Sequence, residues 1–385
     1  MKKLVLFTLI LIALYCVCPE TAHAEESFND VLSTLIDSLE GDELNEALDG
    51  VWESYGGEKG SLKDKLLSVI NGDFSLGYGN AISAISALVF SGVKSLFPTL
   101  ISVCVIAVLY SLVKTLNPEF LSEGTDRILY FTCYAAILGL LIYKAFDIAN
   151  GCFSAISTYS RQMETVFPLI LTVMAATGSS VSASVYTPAV AFLSNGITVI
   201  ITGIVMPMSL FLIMFSSVSG LSHSMKTEKF GAFVSSAIKW ILGICVTVFT
   251  VFLSVKGITA GTYDGITLRV TKYALGNSVP LVGGFLRDGA ELFVASGVLI
   301  KNALGICGLA LVAGVFIAPV TELIAFSMFL KLVSGITEPF IDNKITDFLF
   351  GLSKNLNFVL ASALVVCFMY VITVVLLIFS GGALL

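Results

Sequence analysis

Six stretches of this chain are apolar over the length needed to cross a bilayer. They run over roughly 92–113, 128–148, 189–216, 233–256, 297–330 and 355–380. A helix needs about 20 predominantly apolar residues to span the hydrocarbon core, where every backbone polar group must be satisfied inside the element. A transmembrane barrel would instead show short segments of alternating polarity. Composition agrees with helices in lipid: 12% of the residues are charged, against about 25% in soluble domains, too few to cover a water-soluble globule. The fold class is all-α, a polytopic membrane helical bundle. A further segment, 166–187, begins apolar and ends in the small polar run TGSSVSAS, which sets the expectation at six or seven spans.

Before the membrane region the chain reads in two parts. Residues 1–24 have a positive start (Met1-Lys2-Lys3), an apolar run and the small–x–small pattern Ala22-His23-Ala24, the marks of a cleaved signal peptide. Such a leader places the mature N-terminus outside the cytoplasm; an uncleaved first helix would give the same topology. Residues 25–80 form an acidic amphipathic extracytoplasmic region. Residues 25–53 hold ten acids and no base, with Phe28, Val31, Leu32, Leu35, Leu39, Leu44, Leu48 and Trp52 at helical spacing. The apolar stripe either packs on a neighbouring part of the chain or docks an extracytoplasmic partner. The polytopic domain is 81–385. With the N-terminus outside, Lys114 to Arg127 are expected in the cytoplasm, and the positive-inside rule puts the loop with Lys226 and Lys229 there too.

The stretch Asp264 to Gly308 fits neither a span nor a loop. It carries Arg269, Lys272, Arg287, Asp288, Glu291 and Lys301 among apolar residues, with Pro280 between, and it predicts an interfacial or re-entrant segment. Gly178, Ser179, Ser180 and Pro188 break the segment at 166–187 in the same way, and non-helical backbone at membrane depth must be buried in protein or line a cavity. Phe167-Pro168-Leu169 and Val279-Pro280-Leu281 are 112 residues apart, as are Pro207 and Pro319. The spacing raises a weak internal repeat, 166–258 against 278–380, and paired Pro-interrupted segments point to a transporter-like core.

Little here can carry covalent chemistry. The two histidines are His23 in the leader and His223 in a loop, and there is no paired Cys/His metal spacing, phosphate-binding loop or nucleophile motif. Catalytic, cofactor-binding and metal-ligating residues are expected to be none. The net charge of −6 offers no basic surface for nucleic acid. The six cysteines beyond the leader are scattered in or beside apolar runs and read as small buried hydrophobes. Intramembrane charge carries more information, because it faces a partner or water. Glu322, three residues after Pro319, and Lys301 join the charges above as candidate pore or coupling residues, with a structural ion pair or snorkelling as the alternative.

Asp264 to Arg269 (DGITLR), Lys272, Gly276-Asn277, Pro280 and SGVLIKNALGICG from Ser296 to Gly308 closely resemble the stage III sporulation protein AE family of endospore-forming bacteria. TGSSVSAS with Pro188, and Val205-Met206-Pro207, are similar to the same family. The resemblance covers roughly 75–380. It implies a multi-pass protein of the mother-cell membrane around the forespore, acting as the permease-like subunit of a channel between the two cells. It further implies, as partners, other membrane and ring-forming subunits, a cytoplasmic secretion-type ATPase and a forespore-membrane protein, and a need for the channel in late forespore sigma-factor activity and forespore maintenance. A stand-alone ion-coupled secondary transporter and a structural membrane scaffold of the same complex are the alternatives.

Overall fold

The computed structural model describes residues 34–36, 42–54, 60–71, 78–116, 123–219, 228–278, 283–338 and 343–380. The leader, Pro280 and most of the acidic stretch before Asp42 lie outside them. All regular structure among the described residues is helical: α1 (Asp42–Ser54), α2 (Leu62–Asn71), α3 (Tyr78–Leu116), α4 (Glu123–Ala176), α5 (Ser180–Ala191), α6 (Thr198–Ile200), α7 (Met206–Ser219), α8 (Glu228–Ser278), α9 (Gly283–Thr337) and α10 (Asn343–Phe379). Wider π-helical turns at Phe192–Ile197 and Ile201–Val205 join α5, α6 and α7 into one rod.

Helical periodicity decides which face of each rod turns inward. On α3, Leu96, Leu100, Val103, Ala107 and Tyr110 are buried at alternating steps of four and three, while Ile101, Val105, Val108 and Leu112 face outward. On α4 the buried series runs from Tyr134, Ile137 and Leu141 to Ile156, Tyr159 and Met163. Among the described residues six helices are long and apolar enough to cross a membrane: Gly92–Val113, Arg127–Ala176, Thr198–Ser217, Lys229–Ser254, Glu291–Thr337 and Ile345–Phe379. The outward apolar faces suit lipid, whose hydrocarbon is as apolar as they are.

Cross-helix contacts fix the direction of each pass. Tyr110 of α3 meets Tyr130 of α4, and Ser95 of α3 bonds Glu322 of α9. Tyr134 of α4 reaches the Ser217 carbonyl at the end of α7 and packs on Phe348 at the start of α10. Phe211 and Phe215 of α7 meet Phe230 at the start of α8. Ser334 of α9 bonds the Thr346 carbonyl of α10. The passes therefore alternate, with the α3–α4, α7–α8 and α9–α10 connections at one end. The α4–α5 turn, the α8–α9 connection and the end of α10 lie at the other, beside α1 and α2.

Two expectations are corrected by this arrangement. Residues 166–187 are not a separate half-segment: 166–176 complete α4, and 180–187 open the next pass, which makes six passes. The 264–308 stretch is not re-entrant among its described residues, because it forms the end of α8 and the start of α9. Length supplies the reason. α4 and α9 have 54 and 55 residues, about 80 Å at 1.5 Å per residue, against a hydrocarbon core of about 30 Å. Such helices project far beyond the lipid and can carry charge there without breaking.

The α1–α2 pair packs on these long helices, α1 against α4 and α9 and α2 against α9. Ser61 caps α2 reciprocally with Asp64: the Asp64 N–H donates to Ser61 Oγ at 3.3 Å, and the Ser61 N–H donates to Asp64 Oδ2 at 3.2 Å. The apolar stripe (Leu44, Leu48, Trp52, Leu66, Val69) is buried. Lys65 is buried as well, and its ammonium donates to the Asn45 carbonyl at 3.1 Å, Asn45 Oδ1 at 2.7 Å and Asp49 Oδ1 at 2.6 Å. All three donors are used, so a charge under the apolar cover staples α2 to α1.

Candidate functional site

The helix break foreseen near Gly178 is the cap of α4. Ser179 N–H donates to the Met174 carbonyl at 2.9 Å and Gly178 N–H to the Ala175 carbonyl at 3.3 Å, the paired bonds of a Schellman cap. Gly178 has φ 87°, a left-handed conformation open to glycine without strain. The Thr177 hydroxyl donates back to the Val173 carbonyl at 2.9 Å. Ser179 is buried and Ser180 exposed, and the Ser179 carbonyl receives the Ala183 N–H at 3.0 Å as α5 begins. Gly297 of α9 lies against this cap so closely that a Cβ there would overlap the Thr177 methyl.

The rod that follows is helical throughout and unevenly wound. Pro188 lies inside α5 and does not end it. Pro207 is the second residue of α7, directly after the Ile201–Val205 π turn. A proline ring clashes with the carbonyl four residues back in an α-helix, and a π turn moves that carbonyl away. The Thr198 N–H donates to the Leu193 carbonyl, five residues back, and the Thr198 hydroxyl donates to the same carbonyl at 3.0 Å. Pro319 sits inside α9, which also continues through it; its carbonyl accepts the Cys152 thiol at 3.7 Å.

Behind this rod lies a buried polar network. The Tyr370 hydroxyl of α10 donates to Ser160 Oγ of α4 at 3.0 Å and lies 3.3 Å from the Thr198 hydroxyl. Tyr159 stands edge-on to Tyr370, with centroids 4.9 Å apart, and donates to the Gly308 carbonyl at 3.4 Å. Four passes therefore meet at two tyrosines. Sequence patterns gave no warning of this, because the participants are single Tyr, Ser and Thr residues in apolar runs.

The candidate charges fall in three places. Glu322 accepts the Lys144 ammonium of α4 at 3.0 Å and the Ser95 hydroxyl of α3 at 3.0 Å, and Lys144 also bonds Asp147 at 3.0 Å. Gly92 of α3 lies beside Glu322: a Cβ there would sit 3.6 Å from the Glu322 Cβ, an ordinary contact. Lys301 is buried and donates to the Ser380 carbonyl at the end of α10, where the unpaired carbonyls of a helix terminus hold partial negative charge. Arg269 and Lys272 lie in the last third of α8, and Arg287, Asp288 and Glu291 in the first turns of α9, at the α1–α2 end and far from Glu322. The candidate residues thus do not gather into one site. Lys144 and Asp147 were missed, although an intramembrane charge in LGLLIYKAFDIAN is the signal that singled out Glu322.

Chemically, this arrangement holds helices together. Among the described residues no three His, Cys, Asp or Glu side chains gather to hold a metal ion. Gln162 Oε1 and Asn302 Oδ1 are buried polar atoms with no hydrogen bond among the described residues; they lie in the halves of α4 and α9 nearer α1 and α2.

No solved structure matches the chain. A curated relative, "Stage III sporulation protein AE" of Bacillus subtilis (strain 168), is 26% identical over 365 residues, covering 94% of this chain and 91% of the relative. The family model for stage III sporulation protein AE matches residues 61–381, from the cap of α2 to the end of α10. With that match running through all six passes, the chain belongs to the stage III sporulation protein AE family.

Proposed function

We propose that this sporulation-family membrane protein is the permease-like subunit of a channel between mother cell and forespore. It would sit in the mother-cell membrane around the forespore, with the α1–α2 end extracytoplasmic. There it would face the ring-forming subunits and a forespore-membrane partner, while the opposite loops meet a cytoplasmic secretion-type ATPase and other membrane subunits. Its action would sustain late forespore sigma-factor activity.

The observation that supports an active rather than inert role is the α5–α7 rod. π turns are rare, and they are frequently found at functional positions. A π turn is an α-helix with one residue inserted, so deletion of Ile204 regularises the second turn of the rod. In sporulating cells with the variant as sole copy, the protein should accumulate in the membrane while a late forespore reporter falls. An unchanged reporter would contradict this reading.

The scaffold alternative draws on a different observation. Glu322 and Lys301 are both bonded within the bundle, as packing elements would be. Full reporter activity in both Glu322→Gln and Glu291→Gln would remove ion coupling as a mechanism.

A further inference from the structure

Lys239 is an exposed cation in the middle of a membrane pass. It lies ten residues into the Lys229–Ser254 span, about 15 Å from its start at 1.5 Å per residue and so near half the depth of a ~30 Å core. Its ammonium rests over the Phe358 ring, 5.8 Å from the centroid, and among the described residues it has no carboxylate partner. A charge turned outward at that depth is costly against lipid and calls for a partner or water.

Small residues flank it on the same face of α8. Ala232, Ser236, Gly243 and Thr247 are exposed beside Lys239. A Cβ added at Gly231 or Gly243 would meet nothing within 4 Å, so no contact among the described residues explains either glycine. Small residues on an exposed membrane face admit a second helix at close range.

A complementary face exists on α4. Asp147 is 59% exposed although it touches Lys144. It is bracketed by Gly139 and Gly151, each again with nothing within 4 Å of an added Cβ. The spacing of Gly139, Asp147 and Gly151 repeats that of Gly231, Lys239 and Gly243. The depths also agree. Ser327 meets Ser353, and Ser334 bonds the Thr346 carbonyl; five residues further along this antiparallel register Phe358 comes level with Glu322. Lys239 sits on Phe358, and Asp147 joins Glu322 through Lys144. α4 and α8 run in the same direction, so two copies inserted alike in one membrane can lay them side by side.

We propose that the α8 face around Lys239 docks on the α4 face around Asp147 of a second copy of this chain. The two patches differ, so the contact is head-to-tail and propagates into a ring or an open row. Lys239 and Asp147 form its central ion pair, and the glycines let the helices approach on either side.

The test uses two differently tagged full-length copies in a cysteine-free background, co-expressed in membranes and oxidised. Gly243→Cys in one copy and Gly151→Cys in the other should form a disulfide-linked pair of tags. Gly243→Cys with Gly139→Cys, about 18 Å out of depth at 1.5 Å per residue, should not. Lys239→Glu in the first copy should lower the matched cross-link about tenfold or more, and Asp147→Lys in the second copy should restore it. Three results would overturn the proposal: a matched pair that links no better than the mismatched one, a Gly243→Cys copy that links chiefly to itself, or a Gly243→Cys copy that links chiefly to a different protein. Failure of the charge swap to restore linking would remove the ion pair, and the cysteine depth series would still decide the contact.

Discussion

At the scale of residues, the Glu322 carboxylate is held by an ion pair and a hydroxyl from two other helices. Glu322 is a quarter exposed and holds Lys144 and Ser95. Removing one member of such a pair leaves the other uncompensated, while replacing both with apolar groups is far milder. Lys144→Met alone should lower stability by about 2–3 kcal/mol, and Lys144→Met with Glu322→Gln should recover most of the loss, as read by thermal unfolding in detergent. Equal stability of single and double variants would refute the pairing. A second pair of positions tests the α4 cap. Gly297→Ala should cost about 1–3 kcal/mol through overlap with the Thr177 methyl, and Thr177→Ser, which removes only that methyl, should restore stability. Glu322 and Lys301 stood out in the sequence because charge in an apolar run is rare. Their partners did not, since Lys144 and the Ser380 carbonyl come from distant helices and no spacing within one helix encodes them.

At the scale of elements, the α1–α2 pair belongs to the bundle despite its acidity. The ten acids and no base of residues 25–53 predicted a solvated face with the apolar stripe packed on a neighbour or docked on a partner, and the exposed Asp42, Glu43 and Glu46 of α1 fit that solvated face. The opposite stripe is buried on α4 and α9, and Glu43 also accepts the Thr165 hydroxyl of α4 at 3.0 Å. Lys65 fixes the two helices by filling all three donors on Asn45 and Asp49. Lys65→Met should therefore release α1 from α2, raising the rate of proteolysis between residues 42 and 71 several-fold while the membrane passes stay protected. An unchanged cleavage rate would show that apolar packing alone holds the pair. The passes themselves were legible from apolar length: all six expected spans match crossing helices. Their ends were not. Hydropathy reports where lipid stops, and α4, α8 and α9 continue as helices beyond it, so the charged 264–308 stretch read as an interfacial or re-entrant segment. The small polar run at 177–180 marked a real helix end because Gly178 alone supplies the left-handed turn.

At the scale of the molecule, six alternating passes put both long hairpin ends beside α1 and α2. The family resemblance first carried by DGITLR and SGVLIKNALGICG extends over the whole membrane domain in the family match. The central structural claim is the direction of the passes, since it decides which helix ends face each side of the membrane. The most direct check is labelling of single cysteines by a membrane-impermeant thiol reagent in intact cells, with the native cysteines replaced. Asp42→Cys and Ser180→Cys should label from outside. Lys229→Cys and Glu338→Cys, at the opposite end, should label only after the membrane is opened. External labelling of both Ser180→Cys and Lys229→Cys would contradict the alternating passes, and protection of Ser180→Cys with external labelling of Lys229→Cys would contradict their direction.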